Sequence, residues 1–118
     1  MEQDWARPVV QWEIQAVDPE KMGRFYTEMF NWTLGNGRKV KRIAPGIGAP
    51  EPAIAGSIRP SETSRILLYI QVLHLRESMD KAVTLGGEIV REPFDLPAGT
   101  TVGWINDPEG NQLALVQQ

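Results

Sequence analysis

Cysteine is absent from this 118-residue chain, and histidine occurs once, at His74. The first absence rules out disulfides, a thiolate nucleophile and cysteine-ligated zinc. No apolar run approaches membrane-spanning length, and Met1-Glu2-Gln3-Asp4 has no signal-peptide character. A cytoplasmic protein without membrane contact is therefore expected. Basic charge is not in excess either: 12 Lys and Arg stand against 15 Asp and Glu, a net charge of −3. Phosphate contacts need clustered Lys and Arg, so nucleic-acid binding is not expected. The one basic cluster, Arg38-Lys39-Val40-Lys41-Arg42, reads as a solvated strand or hairpin edge. Hydrophobic residues at 42% and charged residues at 23% are ordinary for a globular protein. The length suits one domain, 1–118, rather than two.

Residues 9–16, Val-Val-Gln-Trp-Glu-Ile-Gln-Ala, alternate from Val10 onward. Val10, Trp12, Ile14 and Ala16 form an apolar face, and Gln11, Glu13 and Gln15 a polar one, which is the pattern of a half-buried strand. Asp18-Pro19-Glu20 then supplies a helix N-cap, a first-turn proline and a first-turn acid. Met22, Phe25, Tyr26, Met29 and Phe30 follow at helical spacing as one apolar stripe, and Asn31 ends the helix. Trp32 to Leu34, Lys39 to Ala44 and Ala53 to Ile58 read as strands, with a loop over Pro45–Pro52.

The second half opens on another alternating strand, Ile66 to Val72. A helix over 76–85 follows, with Met79, Ala82 and Val83 inward, Arg76/Asp80 and Glu77/Lys81 outward, and Gly86-Gly87 as its stop. Glu88 to Val90 reads as a strand, Pro93 to Gly99 as a loop and Thr100 to Asn106 as a strand. Asp107-Pro108-Glu109-Gly110-Asn111 is a turn before a last strand, Gln112 to Val116. The halves, about 8–60 and 64–118, repeat the order strand, helix, three strands. One shift lays Glu13–Ala16 on Tyr69–Val72 and Met29–Trp32 on Leu85–Glu88.

Asp18-Pro19-Glu20 before Phe25-Tyr26, then Phe30-Asn31-Trp32, Leu85-Gly86-Gly87 and Asp107-Pro108-Glu109-Gly110-Asn111 carry a resemblance that spans nearly the whole chain. In order and spacing they resemble the vicinal oxygen chelate superfamily of glyoxalases, extradiol dioxygenases and bleomycin-resistance proteins. Leu73-His74 departs from it, since the family often has an acidic cap there. The resemblance implies an α+β fold of tandem βαβββ modules, whose curved mixed sheet forms a cup with helices on its outer face. Alternation then assigns Val10, Trp12, Ile14, Ile66, Leu68, Ile70, Leu113 and Leu115 to the helix side. It assigns Gln11, Glu13, Gln15, Leu67, Tyr69, Gln71, Gln112 and Ala114 to the cup.

The resemblance also implies where metal-using relatives hold their ion: about Gln11, the Ala55–Ile58 stretch, Leu67 and Ala114. Leu67 and Ala114 have no donor atom, Ala55–Ile58 contains no His, Asp or Glu, and Gln11 offers a neutral oxygen only. Glu13 is the one charged ligand assigned to the cup, so neither a metal nor another cofactor is expected. His74 falls where strand becomes helix and reads as a surface or capping residue.

Three functions remain open. A metal-free small-molecule-binding protein of the drug-sequestering kind would use Gln11, Glu13, Gln15, Tyr69, Gln71, Trp104 and Gln112, with Tyr69 and Trp104 stacking on a planar or cationic ligand. A lyase, isomerase or dioxygenase-like enzyme would use Glu13 as general base, or an atypical metal site; no Arg or Lys is assigned to the cup to assist it. A degenerate module would serve dimer or partner contact only. The resemblance further implies a homodimer. Trp12 and Phe25 read as core, whereas Trp32 and Trp104 are assigned to neither cup nor core by alternation alone.

Overall fold

Asp18 opens the first helix as its residue type predicts: its Oδ1 accepts the Lys21 N–H at 3.1 Å and its carbonyl accepts the Met22 N–H. The computed structural model describes residues 6–30, 32–35, 37, 40–43, 54–97 and 99–117. Among these the order is β1 (Val9–Ala16), α1 (Pro19–Phe30), β2 (Lys41–Ile43), β3 (Gly56–Pro60), β4 (Arg65–Val72), α2 (Leu75–Thr84), β5 (Glu88–Asp95), β6 (Thr101–Asn106) and β7 (Gln112–Gln117). The loop expected over Pro45–Pro52 lies outside the described residues, as do Met1–Asp4, Asn31, Arg38 and Lys39.

The fold is α+β with mixed strand pairing. In each half the opening strand runs parallel to the last one, β1 to β3 and β4 to β7, while β2–β3, β5–β6 and β6–β7 are antiparallel. A parallel pair needs a crossover, and α1 and α2 supply it. The repeat expected from the order of elements is therefore present in the pairing. The chain divides into two compact units, Gln11–Leu67 and Met1–Val10 with Leu68–Gln118, whose boundaries fall inside β1 and β4.

In the first unit α1 lies over Ile14, Ala16, Ile43 and Ile58, with Met22, Tyr26, Trp32 and Leu34 packed on them. Gly23 is the buried residue of α1. A Cβ there would stand 3.2 Å from Leu34, so glycine brings the helix close. Trp32 is thereby placed on the helix side, stacked on Tyr26 with centroids 5.0 Å apart and planes 8° apart. Phe25 and Met29 are exposed, contrary to expectation. The contact face of α1 centres on Met22, Gly23 and Tyr26, and the apolar stripe is wider than the surface available to cover it. Trp12 packs at the edge of this core, and its Nε1 donates to the Ile54 carbonyl at 3.0 Å. Trp32 to Leu34, expected as a strand, makes one bridge, Leu34 to Ile43. Arg42 is exposed on β2 as expected, but Lys41 is largely covered and pairs with Glu20 at 2.9 Å.

In the second unit α2 covers Val72, Ile105 and Leu115 through Leu75 and Met79, with Ile70, Leu113 and Ile89 alongside. The expected core residues Ile66 and Leu68 are 67% and 39% exposed, and Val10 is exposed as well. Helix packing reaches only the C-terminal halves of β1 and β4, so apolar alternation continues past the surface that a helix covers. The helix starts one residue earlier than expected. His74 stands at its N-cap with no side-chain capping bond; Gln117 of β7 substitutes, its Oε1 accepting the Leu75 N–H at 2.7 Å while its Nε2 donates to the Leu73 carbonyl. Gly86, at φ +98°, and the Gly87 N–H bond to Ala82 O close the C-terminus as the Gly-Gly pair predicts.

The segment expected to loop from Pro93 belongs to β5 as far as Asp95. β5 is an edge strand whose register shifts between Ile89 and Arg91 and again between Arg91 and Phe94. Proline is tolerated at such irregular edges because no ladder N–H is required of it.

Candidate functional site

The polar face of the first unit is built by β1 and β3. Glu13 lies opposite Ser57, and Gln15 opposite Arg59, so all four project to one side of the parallel pair. Glu13 is 1% exposed. Its Oε1 accepts from Arg59 Nε at 3.0 Å and its Oε2 from Gln15 Nε2 at 3.0 Å. Gln11 Nε2 reaches Ser57 Oγ at 3.5 Å. Arg42 is the cross-strand partner of Ser57 on β2 and shares this face. The three β1 residues predicted for the site are thus brought together.

Arg59 corrects the expectation that no cation stands on this face. The sequence pattern ends this strand at Ile58, whereas β3 runs from Gly56 to Pro60 and so places Arg59 within it. Carrying the alternation Ser57, Ile58, Arg59 one residue further would have found it. The ion pair has a chemical consequence. It neutralises Glu13, so the carboxylate is not an uncompensated anion that would select a cationic ligand.

In the second unit one cross-strand row runs Tyr69, Ala114, Trp104, Arg91. Its face is opposite α2, because neighbouring Leu113, Leu115 and Ile105 pack on the helix and a Cβ on Gly103 would meet Met79. Tyr69, Gln71, Trp104 and Gln112 are half-buried there. Trp104 is therefore placed off the helix side, with Phe94 edge-on at 5.8 Å. Leu67 and Ala114, expected to line an open hollow, are fully buried. On the helix side a hollow of about 530 Å³ lies between α2 and the strands, floored by Ile70, Leu113 and Leu115 and rimmed by His74, Glu77 and Lys81. No residue predicted for the site lines it.

The metal positions implied by the resemblance do not fit an ion. Ser57 and Gln11 offer neutral oxygens, the Leu67 and Ala114 side chains are alkyl, and the one carboxylate of the first face carries a guanidinium 3.0 Å away. An arginine beside the one carboxylate described on that face repels a divalent cation. Among the described residues no three His, Cys, Asp or Glu side chains converge. No helix among them is long and apolar enough to cross a membrane.

Residues 11–116 match the family described as glyoxalase-like domain. The chain is 30% identical over 125 aligned residues to "Putative glyoxylase CFP32" of Mycobacterium bovis, covering 89% of this chain and 43% of that protein. It thus spans less than half the length of that curated relative. A glyoxylase-like domain-containing protein of Didymella fabae is 25% identical, with 87% of this chain and 88% of that one covered. Among solved structures, a glyoxalase/bleomycin resistance protein/dioxygenase superfamily member from Vibrio splendidus superposes with TM-score 0.64 at 10% identity, over 96% of this chain and all of that one. Methylmalonyl-CoA epimerase from Mycobacterium tuberculosis gives TM-score 0.59 at 13% identity, over 99% and 95%. At such identities the likeness is one of fold. With the family match covering nearly every element described above, the chain belongs to the glyoxalase-like domain family of the vicinal oxygen chelate superfamily.

Proposed function

We propose that the chain is a metal-free small-molecule-binding domain of the glyoxalase/bleomycin-resistance type, and that the β1/β3 polar face of its first half recognises the ligand. The observation that carries this reading is the buried Glu13 carboxylate held between Arg59 and Gln15. Burying a carboxylate is costly even when it is paired, and an apolar residue would stabilise a purely structural sheet as well. What the arrangement supplies is an oriented guanidinium. Arg59 spends Nε on Glu13, and no described residue accepts from its terminal nitrogens. Those donors suit an acceptor group on a ligand, with Gln11 and Gln15 beside them. In the second half Tyr69, Gln71, Trp104 and Gln112 are proposed as ligand contacts of their own face, taken by itself.

A thermal-shift panel of carboxylate, aromatic and cationic compounds tests the reading. A binder at 100 times its Kd adds about 2.7 kcal/mol to stability. The shift should vanish in Arg59→Met, and metal analysis of the purified protein should find no stoichiometric ion. Bound stoichiometric metal, or a ligand shift untouched by Arg59→Met, would sink it. The homodimer is part of the same proposal, and sedimentation equilibrium checks it.

Arg59 also favours a second reading. It stands where a cation would stabilise an oxyanion as Glu13 removes a proton. Turnover lost in Glu13→Gln with ligand binding retained would select this enzymatic reading over binding alone.

A further inference from the structure

Two donors on the second half's sheet face have no acceptor among the described residues. In a regular strand Arg91 and Phe94, three residues apart, would point to opposite faces. The two register shifts in β5 instead set Arg91 opposite Trp104 and Phe94 opposite Val102, on the face away from α2. The Arg91 guanidinium carbon sits 3.6 Å from the Phe94 ring centroid and 5.3 Å from that of Trp104. Stacking on Phe94 fixes the plane of the guanidinium and leaves its N–H edges outward. Among the described residues no carboxylate pairs with Arg91; Glu92, its neighbour, is taken by Arg76.

Trp104 Nε1 is buried and has no hydrogen-bond partner among the described residues. An indole nitrogen is a donor only, so nothing but an acceptor can satisfy it. Leaving such a group unpaired costs about 1–3 kcal/mol, and an orphan of this kind calls for a specific explanation. Bulges recur beside functional sites, where they re-aim side chains, as these do.

We infer that Arg91 and Trp104, braced by Phe94, form a site for the oxyanion group of a small molecule, a carboxylate or a phosphate. One anionic oxygen answers the indole N–H, and the guanidinium edge takes the charge. This site stands on the second half alone and does not depend on the Arg59 reading.

The test uses nitrogen-15 spectra of the whole chain. Its four tryptophans give four indole resonances, and Trp104→Phe identifies the one that matters. Sodium acetate and sodium phosphate are each titrated against sodium chloride at constant ionic strength. The expected result is a saturable shift of the Trp104 indole resonance with acetate, phosphate or both, which also tells planar from tetrahedral preference. Arg91→Gln should weaken that response about tenfold and Arg91→Lys less, because lysine keeps the charge but not the fork. The Trp12 and Trp32 indole resonances, from rings packed in the first unit, report whether each variant is folded. A Trp104 resonance that ignores both anions, that moves equally with chloride, or that responds unchanged in folded Arg91→Gln overturns the inference and leaves a trapped water as the partner.

Discussion

Arg59 reaches Glu13 diagonally across a parallel strand pair, Nε to Oε1 at 3.0 Å, although the residue directly opposite Glu13 is Ser57. The two partners differ in environment: the Arg59 side chain is 46% exposed, whereas that of Glu13 is almost wholly buried. Losing the arginine should therefore hurt more than losing the acid, since it takes the guanidinium away from a buried carboxylate.

Arg59→Met should lower unfolding free energy by about 1–3 kcal/mol, below the range for a fully buried pair because half of the arginine is in water. Adding Glu13→Gln should recover part of that loss. Urea unfolding of both singles and the double gives the coupling; strictly additive effects would show that the pair is not energetically linked.

Gly56 and Gly103 should respond differently to alanine. A Cβ at Gly56 falls 2.2 Å from Trp12 Cε2, inside a rigid ring, whereas at Gly103 it meets the Met79 Sδ at 2.5 Å, the far end of a flexible chain. Overpacking costs about 1–3 kcal/mol, and Gly56→Ala should lie at or above the top of that range with Gly103→Ala below it. Melting temperatures of the two variants decide, and the reverse order would refute the packing described.

Gln117→Ala removes the acceptor of the Leu75 N–H. A lost cap costs about 1 kcal/mol. Amide exchange should quicken in the first turn of α2 more than in its last. Gln117→Glu, which keeps an acceptor and adds negative charge at the helix N-terminus, should restore protection at Leu75. Uniform loss along α2 would contradict a capping role.

Asp107 organises the turn before β7. Its carboxyl is held below the ordinary value of 3.8, first by the Asn111 side chain and next by the Asn111 backbone N–H; desolvation opposes them, and the Glu109 and Gly110 N–H groups add smaller lowering contributions. A depressed carboxyl stabilises the folded turn above the unfolded-state value, and that contribution disappears as pH falls through the lower folded value. Carbon-13 titration of the Asp107 carboxyl should show a midpoint below 3.8, absent in Asp107→Asn. A midpoint at or above 3.8 would contradict the bonds described.

Much of the architecture was legible because it rests on local chemistry. Asp18, the Gly86-Gly87 stop and the Asp107–Asn111 turn act through their own neighbours in the chain. The polar parity of Gln11, Glu13 and Gln15 follows from strand period alone. Arg59 was hidden by a strand end misjudged by two residues, and Arg91 by bulges that no alternation rule announces. Ile66 and Leu68 show the opposite failure: their pattern is that of a core, yet helix packing ends before it reaches them.

The amino-acid order alone determined the succession of a strand, a helix and further strands in each half and the motifs that mark the family, since period, caps and turns are properties of short segments. Tertiary structure decided which guanidinium meets Glu13, which face Trp104 and Arg91 share, and that Gln117 rather than His74 caps α2. Those outcomes depend on register between strands distant in sequence, where a slip of one residue turns a side chain to the other face.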